Sequence, residues 1–415
     1  MSDSASNGQI AWVIDLNKCI GCQTCSVACK VLWTREDSEK TQWWCSVNTL
    51  PGRGYPRDWE SMGGGYNNGE LVLGTRPADA DFGGGFEYNH EAVFYGGSGG
   101  EAHLEPQAPR DGRWTMNWDE DEGAGDWPNA YYFYMPRLCN HCSRPACAEA
   151  CPSGALKKNE DGLVLRDESV CAGNGTCMEA CPYKKIHFNH ERNIGQHCIG
   201  CYPRIEAGVA PACVRQCPGR AMFIGRLGEE GSAVNRLVHE WGIALPLHPE
   251  YGTHPNVYYV PPLSPPPLNE DGSVNAGGER IPSDYLETLF GEDVHGALDK
   301  LKTEMETVRG GGSSEMLKTL IAYKWHEEKI RCLEEASILC SEYELDPMGV
   351  IASGALLIVV DPDDREAVTS KLEQNGIDCS VIGKLTDKED GLKMIIDGES
   401  RDLPLFEVDE ITKII

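Results

Sequence analysis

Four groups of cysteines constrain this chain more than anything else in it. Three lie together: Cys139, Cys142, Cys147 and Cys151, then Pro152; Cys171, Cys177 and Cys181, then Pro182; and Cys198, Cys201, Cys213 and Cys217, then Pro218. The middle group carries Asn174 where its spacing calls for another cysteine. The fourth group, Cys19, Cys22, Cys25 and Cys29, stands alone near the N-terminus. Two-residue gaps let a tight loop aim three thiolates at one object. The fourth cysteine follows about a helical turn later, and proline then turns the chain away.

The pattern is that of ferredoxins, in which three cysteines of a group bind one iron–sulfur cluster and the fourth reaches across to another. Structural zinc usually takes isolated pairs of cysteines. Fifteen of the 19 cysteines fall into these groups, three sets of four and one of three, which zinc sites would not produce. A disulfide scaffold fits less well, because a chain of 415 residues buries a core without staples.

The formal charge of −28 and the lack of a basic patch exclude nucleic acid as a natural partner. A solvated acidic surface and adaptation to high salt both accommodate that charge. No stretch reaches the roughly eighteen apolar residues of a membrane span. The longest candidate, 350–360, contains Ser353 and Gly354. The first residues, M-S-D-S-A-S-N-G, lack the charged and apolar regions of a signal peptide. The expectation is a chain soluble by itself, with membrane association only through partners.

Along the chain, residues 10–16 read as a strand and 23–31 as a short helix carrying Cys29. Residues 36–136 form a glycine- and aromatic-rich insertion of irregular loops and short strands. Its tryptophans, Trp43, Trp44, Trp59, Trp114, Trp118 and Trp127, pack either against a partner or the cluster domain, or within the insertion itself. Cys45 reads as a buried free thiol. Within the core, 155–165 and 185–189 read as short strands, and His141, His187, His190 and His197 as packing or hydrogen-bonding residues. The Pro/Gly-rich stretch 245–280 suggests an extended arm without a core of its own, followed by helices over 281–308 and 313–328. In the tail, strands are expected at 355–360, 379–383 and 392–396. A helix there is capped by Asp363 or Asp364 and ends at Asn375–Gly376. Cys332, Cys340 and Cys379 share no ligand spacing.

The cysteine groups and the segment T-L-P-G-R-G-Y-P-R-D-W-E (49–60) closely resemble the electron-transfer β subunits of the respiratory nitrate reductase family and its selenate, chlorate, dimethylsulfide and ethylbenzene counterparts. The likeness runs to about Trp325, within L-I-A-Y-K-W. It implies an α+β fold with tandem ferredoxin-like cluster domains of the bacterial two-cluster type, a long irregular insertion, a C-terminal wrapping arm and a small α/β tail domain. The expected divisions are 1–35 with 137–225 as a four-cluster core, 36–136 as the insertion, 226–330 as a partner-binding arm, and 331–415 as the tail.

The resemblance also implies crosswise ligation. Cys19, Cys22, Cys25 and Cys217 would hold one 4Fe–4S cluster; Cys29, Cys198, Cys201 and Cys213 a second; and Cys139, Cys142, Cys147 and Cys181 a third. Cys151, Cys171 and Cys177 would hold a 3Fe–4S cluster, with Asn174 at the missing ligand position. Such a chain relays single electrons and does no bond chemistry, and the sequence shows no nucleophile–base pair. The implied partners are a molybdenum–pterin catalytic α subunit and a haem-bearing γ subunit or cytochrome. Members of the family face either side of the membrane, and the reading here leans to the outer face, reached with a partner's twin-arginine signal. The alternative is a β subunit of the formate dehydrogenase, polysulfide reductase or hydrogenase type, with four 4Fe–4S clusters; those relatives keep a cysteine where Asn174 stands. The tail segments L-D-P-M-G-V-I-A-S-G-A-L-L-I (345–358) and V-I-G-K-L-T (381–386) resemble the C-terminal domain of the aminoimidazole ribotide synthetase and hydrogenase-maturation family. The ATP-binding half of that family is missing, so no activity is assigned to the tail.

Overall fold

The computed structural model describes residues 8–83, 123–321, 365–374, 393–396 and 399–402. It divides into two compact units, Met1–Leu320 and Ile321–Ile415.

The strands of the first unit used below are β1 (Ile10–Asp15), β2 (Ser46–Leu50), β3 (Phe133–Arg137), β4 (Leu156–Lys158), β5 (Val164–Arg166), β6 (Ile186–Asn189), β7 (Ile194–His197), β8 (Met222–Arg226), β9 (Leu245–Pro246) and β10 (Val257–Val260). Its helices include α1 (Thr24–Trp33), which follows the first cysteine loop, and α2 (Ser283–Phe290), α3 (Asp293–Arg309) and α4 (Glu315–Ile321) at the end.

β1 is the axis of the unit. Its sequence I-A-W-V-I-D is buried at every position, as a strand covered on both faces must be. It pairs antiparallel with β8 (Ile10 with Arg226, Ile14 with Met222) and parallel with β10 (Trp12 with Val257, Asp15 with Val260), and β9 closes the other edge. Of the four two-stranded pieces among the described residues of this unit, three matter below. β2 pairs with β3, β4 with β5, and β6 with β7, all antiparallel. The two hairpins β4–β5 and β6–β7 lie between cysteine loops.

Several expectations hold in the fold. Strand 10–16 and helix 23–31 appear as β1 and α1. The stretch 155–165 folds as the hairpin β4–β5, and 185–189 as β6, whose partner strand β7 carried no recognised signal in the sequence. Trp43, Trp44 and Trp59 are buried in the unit's own core, Trp43 against Leu156 and Ile186, so the insertion packs onto the cluster domain. Trp127 is 91% exposed.

Two expectations are corrected. Residues 245–260 are not an unpacked arm: Leu245, Leu247, Val257, Tyr259 and Val260 are buried, and β9 and β10 complete the central sheet. Proline-rich composition hid a short apolar strand. The helix expected over 281–308 is two, α2 and α3, because Gly291 takes φ 77° and leaves the helical region. Within the described residues, 313–328 is helical over α4.

In the second unit the described residues form a helix, Arg365–Gln374, and a hairpin of Lys393–Ile396 with Glu399–Asp402. The helix and the strand at 392–396 match expectation. The strands at 355–360 and 379–383, Trp114, Trp118, Cys332, Cys340 and Cys379 lie outside the described residues.

Candidate iron–sulfur sites

All four cysteine loops turn through a left-handed residue at the same place. Gly21, Gly173 and Gly200, each two positions after the first cysteine of a group, have φ of 68°, 71° and 67°, and His141 does the same at 42°. The turn points that residue's N–H back at the first sulfur. Gly200 N lies 3.4 Å from Cys198 Sγ. Cys19, Cys139 and Cys171 accept in the same way from Gly21, His141 and Gly173. Hydrogen bonds of this kind favour the thiolate, the form that binds metal.

The chain then gathers its sulfurs across large sequence separations. Cys19, Cys22, Cys25 and Cys217 line one cavity of about 330 Å³, counted with its solvent mouth. Cys139, Cys142, Cys147 and Cys181 line another of about 420 Å³ on the same count. Cys29, Cys198, Cys201 and Cys213 lie near enough that a charge on one opposes ionisation of the next. Cys151, Cys171 and Cys177 form the last gathering. There Asn174 is exposed, and its carbonyl accepts from Arg76 Nη2 at 2.7 Å.

The donor set suits clusters. Among the described residues no three His, Cys, Asp or Glu side chains crowd closely enough around one point to hold a single ion. Four cysteines lining one cavity, as in the Cys19 and Cys139 sets, offer one sulfur to each iron of a cube. Burial pushes the Cys19, Cys142 and Cys198 thiols up to about 12, so they are protonated without metal. Loading with iron must expel those protons and shifts the equilibrium toward the folded state.

Sequence comparisons decide the family. A model described as a 4Fe–4S dicluster domain matches residues 130–227. The β subunit of dimethylsulfide dehydrogenase from Rhodovulum sulfidophilum is 48% identical over 321 residues, covering 77% of this chain and 97% of the relative. The β subunit of selenate reductase from Thauera selenatis is 48% identical over 323 residues, with the same coverages. The respiratory nitrate reductase β subunit of Haloferax mediterranei is 49% identical over 322 residues, covering 75% of this chain and 90% of the relative. The chain belongs to this family of iron–sulfur β subunits. Its role is therefore electron transfer. A second model, the C-terminal domain of AIR synthase related proteins, matches residues 311–395.

In this β subunit the sulfurs are surrounded by buried cations, although the whole chain is strongly acidic. Lys185 is 2% exposed and donates to Trp43 O at 3.3 Å and Ser46 Oγ at 3.0 Å. Burial, helped by Arg137, lowers its pKa to about 7, against the pull of Cys45, Cys198 and Cys29. Arg137 donates to Asn48, Tyr55 and Tyr183 and lies 3.4 Å from the Trp59 ring centroid, tying the insertion to the core. Buried cations are costly without counter-charge, and the cysteine sulfurs are the groups placed to supply it when deprotonated.

Other side chains reach the sulfurs directly. Trp33 Nε1 donates to Cys201 Sγ at 3.1 Å, and Arg166 donates to Cys171 and Cys177. Cys45, buried as expected, hydrogen-bonds the Cys25 sulfur with its thiol and Cys29 with its N–H. Of the four histidines, His141, His187 and His197 are buried, and His190 pairs with Asp79 at 3.1 Å on the surface. His141 accepts from Val164 N at 3.1 Å, and His197 Nδ1 donates to Cys198 O at 2.8 Å. Trp33, Arg166 and Lys185 were not singled out from the sequence. The one available signal was the spacing of Trp33 four residues after Cys29 on one helix face.

Proposed function

We propose that this β subunit relays single electrons through three 4Fe–4S clusters and one 3Fe–4S cluster, between a molybdenum–pterin α subunit and a haem-bearing membrane partner. The ligand sets are those of the crosswise pairing. Cys19, Cys22, Cys25 and Cys217 hold the first cluster; Cys29, Cys198, Cys201 and Cys213 the second; and Cys139, Cys142, Cys147 and Cys181 the third. Cys151, Cys171 and Cys177 hold the three-iron cluster. The observation that carries this reading is the gathering of Cys217 with the N-terminal group, and of Cys29 with Cys198, Cys201 and Cys213, across 169 (198 minus 29) to 198 (217 minus 19) residues. The exposed Asn174 supports three-thiolate ligation in the last set.

Bound clusters supply reversible one-electron chemistry at potentials set by their surroundings. The chain's own residues hold the irons, exclude water with the β1 core, and offset negative charge with Lys185 and Arg137. Among the described residues no helix is long and apolar enough to cross a membrane. The subunit is held at the membrane by its partners, on the outer face, carried there folded with a twin-arginine α subunit. The loop, hairpin, loop order of the two halves supports a tandem ferredoxin-like arrangement. The tail, 331–415, is assigned no catalytic role.

Low-temperature EPR on the anaerobically purified protein tests the cluster inventory. A three-iron signal in the oxidised sample, with three interacting 4Fe–4S signals on stepwise reduction, is the expected outcome. Four 4Fe–4S clusters without a three-iron signal would move the chain to the formate dehydrogenase type. Bound zinc without iron would overturn the proposal.

A further inference from the structure

Arg166 closes β5, and its side chain crosses to β7. There Gly195 makes room for it: a Cβ at Gly195 would stand 3.1–3.3 Å from the guanidinium atoms. Glycine inside a strand costs stability, and here its absent side chain is the seat of the arginine. From that seat the two ends of the guanidinium fork reach two different sulfurs. Nη1 lies 3.3 Å from Cys171 Sγ and Nη2 3.7 Å from Cys177 Sγ. Gly195 also gives its backbone N–H to Cys171.

Among the described residues the guanidinium makes no ion pair with a carboxylate, and its Nε has no hydrogen-bond partner. Neighbouring Arg192 differs, since Glu168 neutralises it. The groups of opposite charge facing Arg166 are the sulfurs of Cys171 and Cys177, and Cys147 of the adjacent cavity also feels its charge. A cation donating N–H···S bonds withdraws charge from the sulfurs and favours the more negative, reduced state of whatever they ligate.

We propose that Arg166 is the positioning residue that raises the reduction potential of the centre held by Cys151, Cys171 and Cys177. This rests on the ligand set proposed above. Arg76, which clamps the loop at the Asn174 carbonyl, holds that loop without touching a sulfur.

An EPR-monitored redox titration of the full-length holoprotein tests it, comparing wild type with Arg166→Gln, Arg166→Lys, Gly195→Ala and the control Arg192→Gln. The expected result for Arg166→Gln is a downward shift of this one centre by at least tenfold in its reduction equilibrium, about 59 mV for one electron. Arg166→Lys keeps the charge and loses the fork, so its shift is smaller in the same direction. Gly195→Ala pushes the guanidinium off the sulfurs and shifts the same centre downward. Arg192→Gln, and the other three centres throughout, move less than threefold. If Arg166→Gln loses the centre, the lysine and alanine variants carry the test. An intact signal with an unmoved midpoint, or an equal shift of all centres, overturns the proposal. A wild-type protein with four 4Fe–4S clusters overturns the three-iron assignment instead. The arginine's effect on the centre of Cys171 and Cys177 would still be readable.

Discussion

Trp33 shows how much of this protein's chemistry is settled one contact at a time. Its indole N–H ends 3.1 Å from Cys201 Sγ, while its ring packs against the main core. Replacing it by phenylalanine keeps an aromatic ring and removes the donor. The expected outcome for Trp33→Phe is unchanged iron content with a lower midpoint for the centre proposed at Cys201, by up to about 59 mV, or tenfold for one electron. Redox titration by EPR reads it, and an unmoved midpoint would sink the idea. The cysteine loops themselves were legible in the sequence because short-range spacing encodes a loop. The left-handed turns at Gly21, Gly173 and Gly200 belong to the same local code. Trp33, Arg166 and Lys185 were not legible, because tertiary packing rather than the motif brings them to the sulfurs: Trp33 and Arg166 in contact, Lys185 only near enough to feel their charge.

At the scale of elements, the insertion and the C-terminal half are joined by a charged clasp. His248 Nε2 bonds Glu60 at 2.9 Å, on the turn Trp59–Met62, and Nδ1 bonds Glu250 at 2.8 Å, on the turn Pro249–Tyr251. Burial works against the imidazolium, but the two carboxylates outweigh it and raise the His248 pKa. The stabilisation from His248 is then fully present below the ordinary imidazole value, about 6.5, and is lost as pH rises through the raised folded value. Glu250, held below its ordinary value by His248 against the opposing effect of burial, loses its contribution as pH falls through that lowered value. His248→Gln is expected to destabilise by roughly 1 kcal/mol near pH 6, a small figure because Glu250 is more than half exposed. The difference should vanish at about pH 9. Thermal melts of both proteins across that range check it, and a pH-independent difference would mean that His248 acts by packing alone. Elements built on strong local pattern, such as β1 and α1, could be read in advance. β9 and β10 could not, because four- and two-residue strands inside a proline-rich stretch become strands only when β1 offers an edge.

For the whole molecule, the instructive boundary is near residue 320. The AIR synthase related match begins at residue 311, yet the first compact unit runs to Leu320. The reason is α4. Met316 and Leu320 are 6% and 5% exposed within the main core, and Leu320 O accepts from Lys18 Nζ at 2.6 Å, beside the cavity of Cys19 and Cys217. A chain cut at the family boundary would therefore lose part of the cluster unit. Burial of the two side chains contributes about 1.5–3 kcal/mol each, a large share of a typical domain's 5–15 kcal/mol. A chain ending at residue 330 is expected to keep its full iron content and its EPR signals. One ending at residue 310 should melt well below it and lose iron first from the Cys19 set, where Lys18 loses its anchor. Iron per chain and thermal midpoints of the two truncations measure this. Iron loss from the longer one would make the tail part of the cluster unit. Equal stability of the two would show that α4 is dispensable to the core.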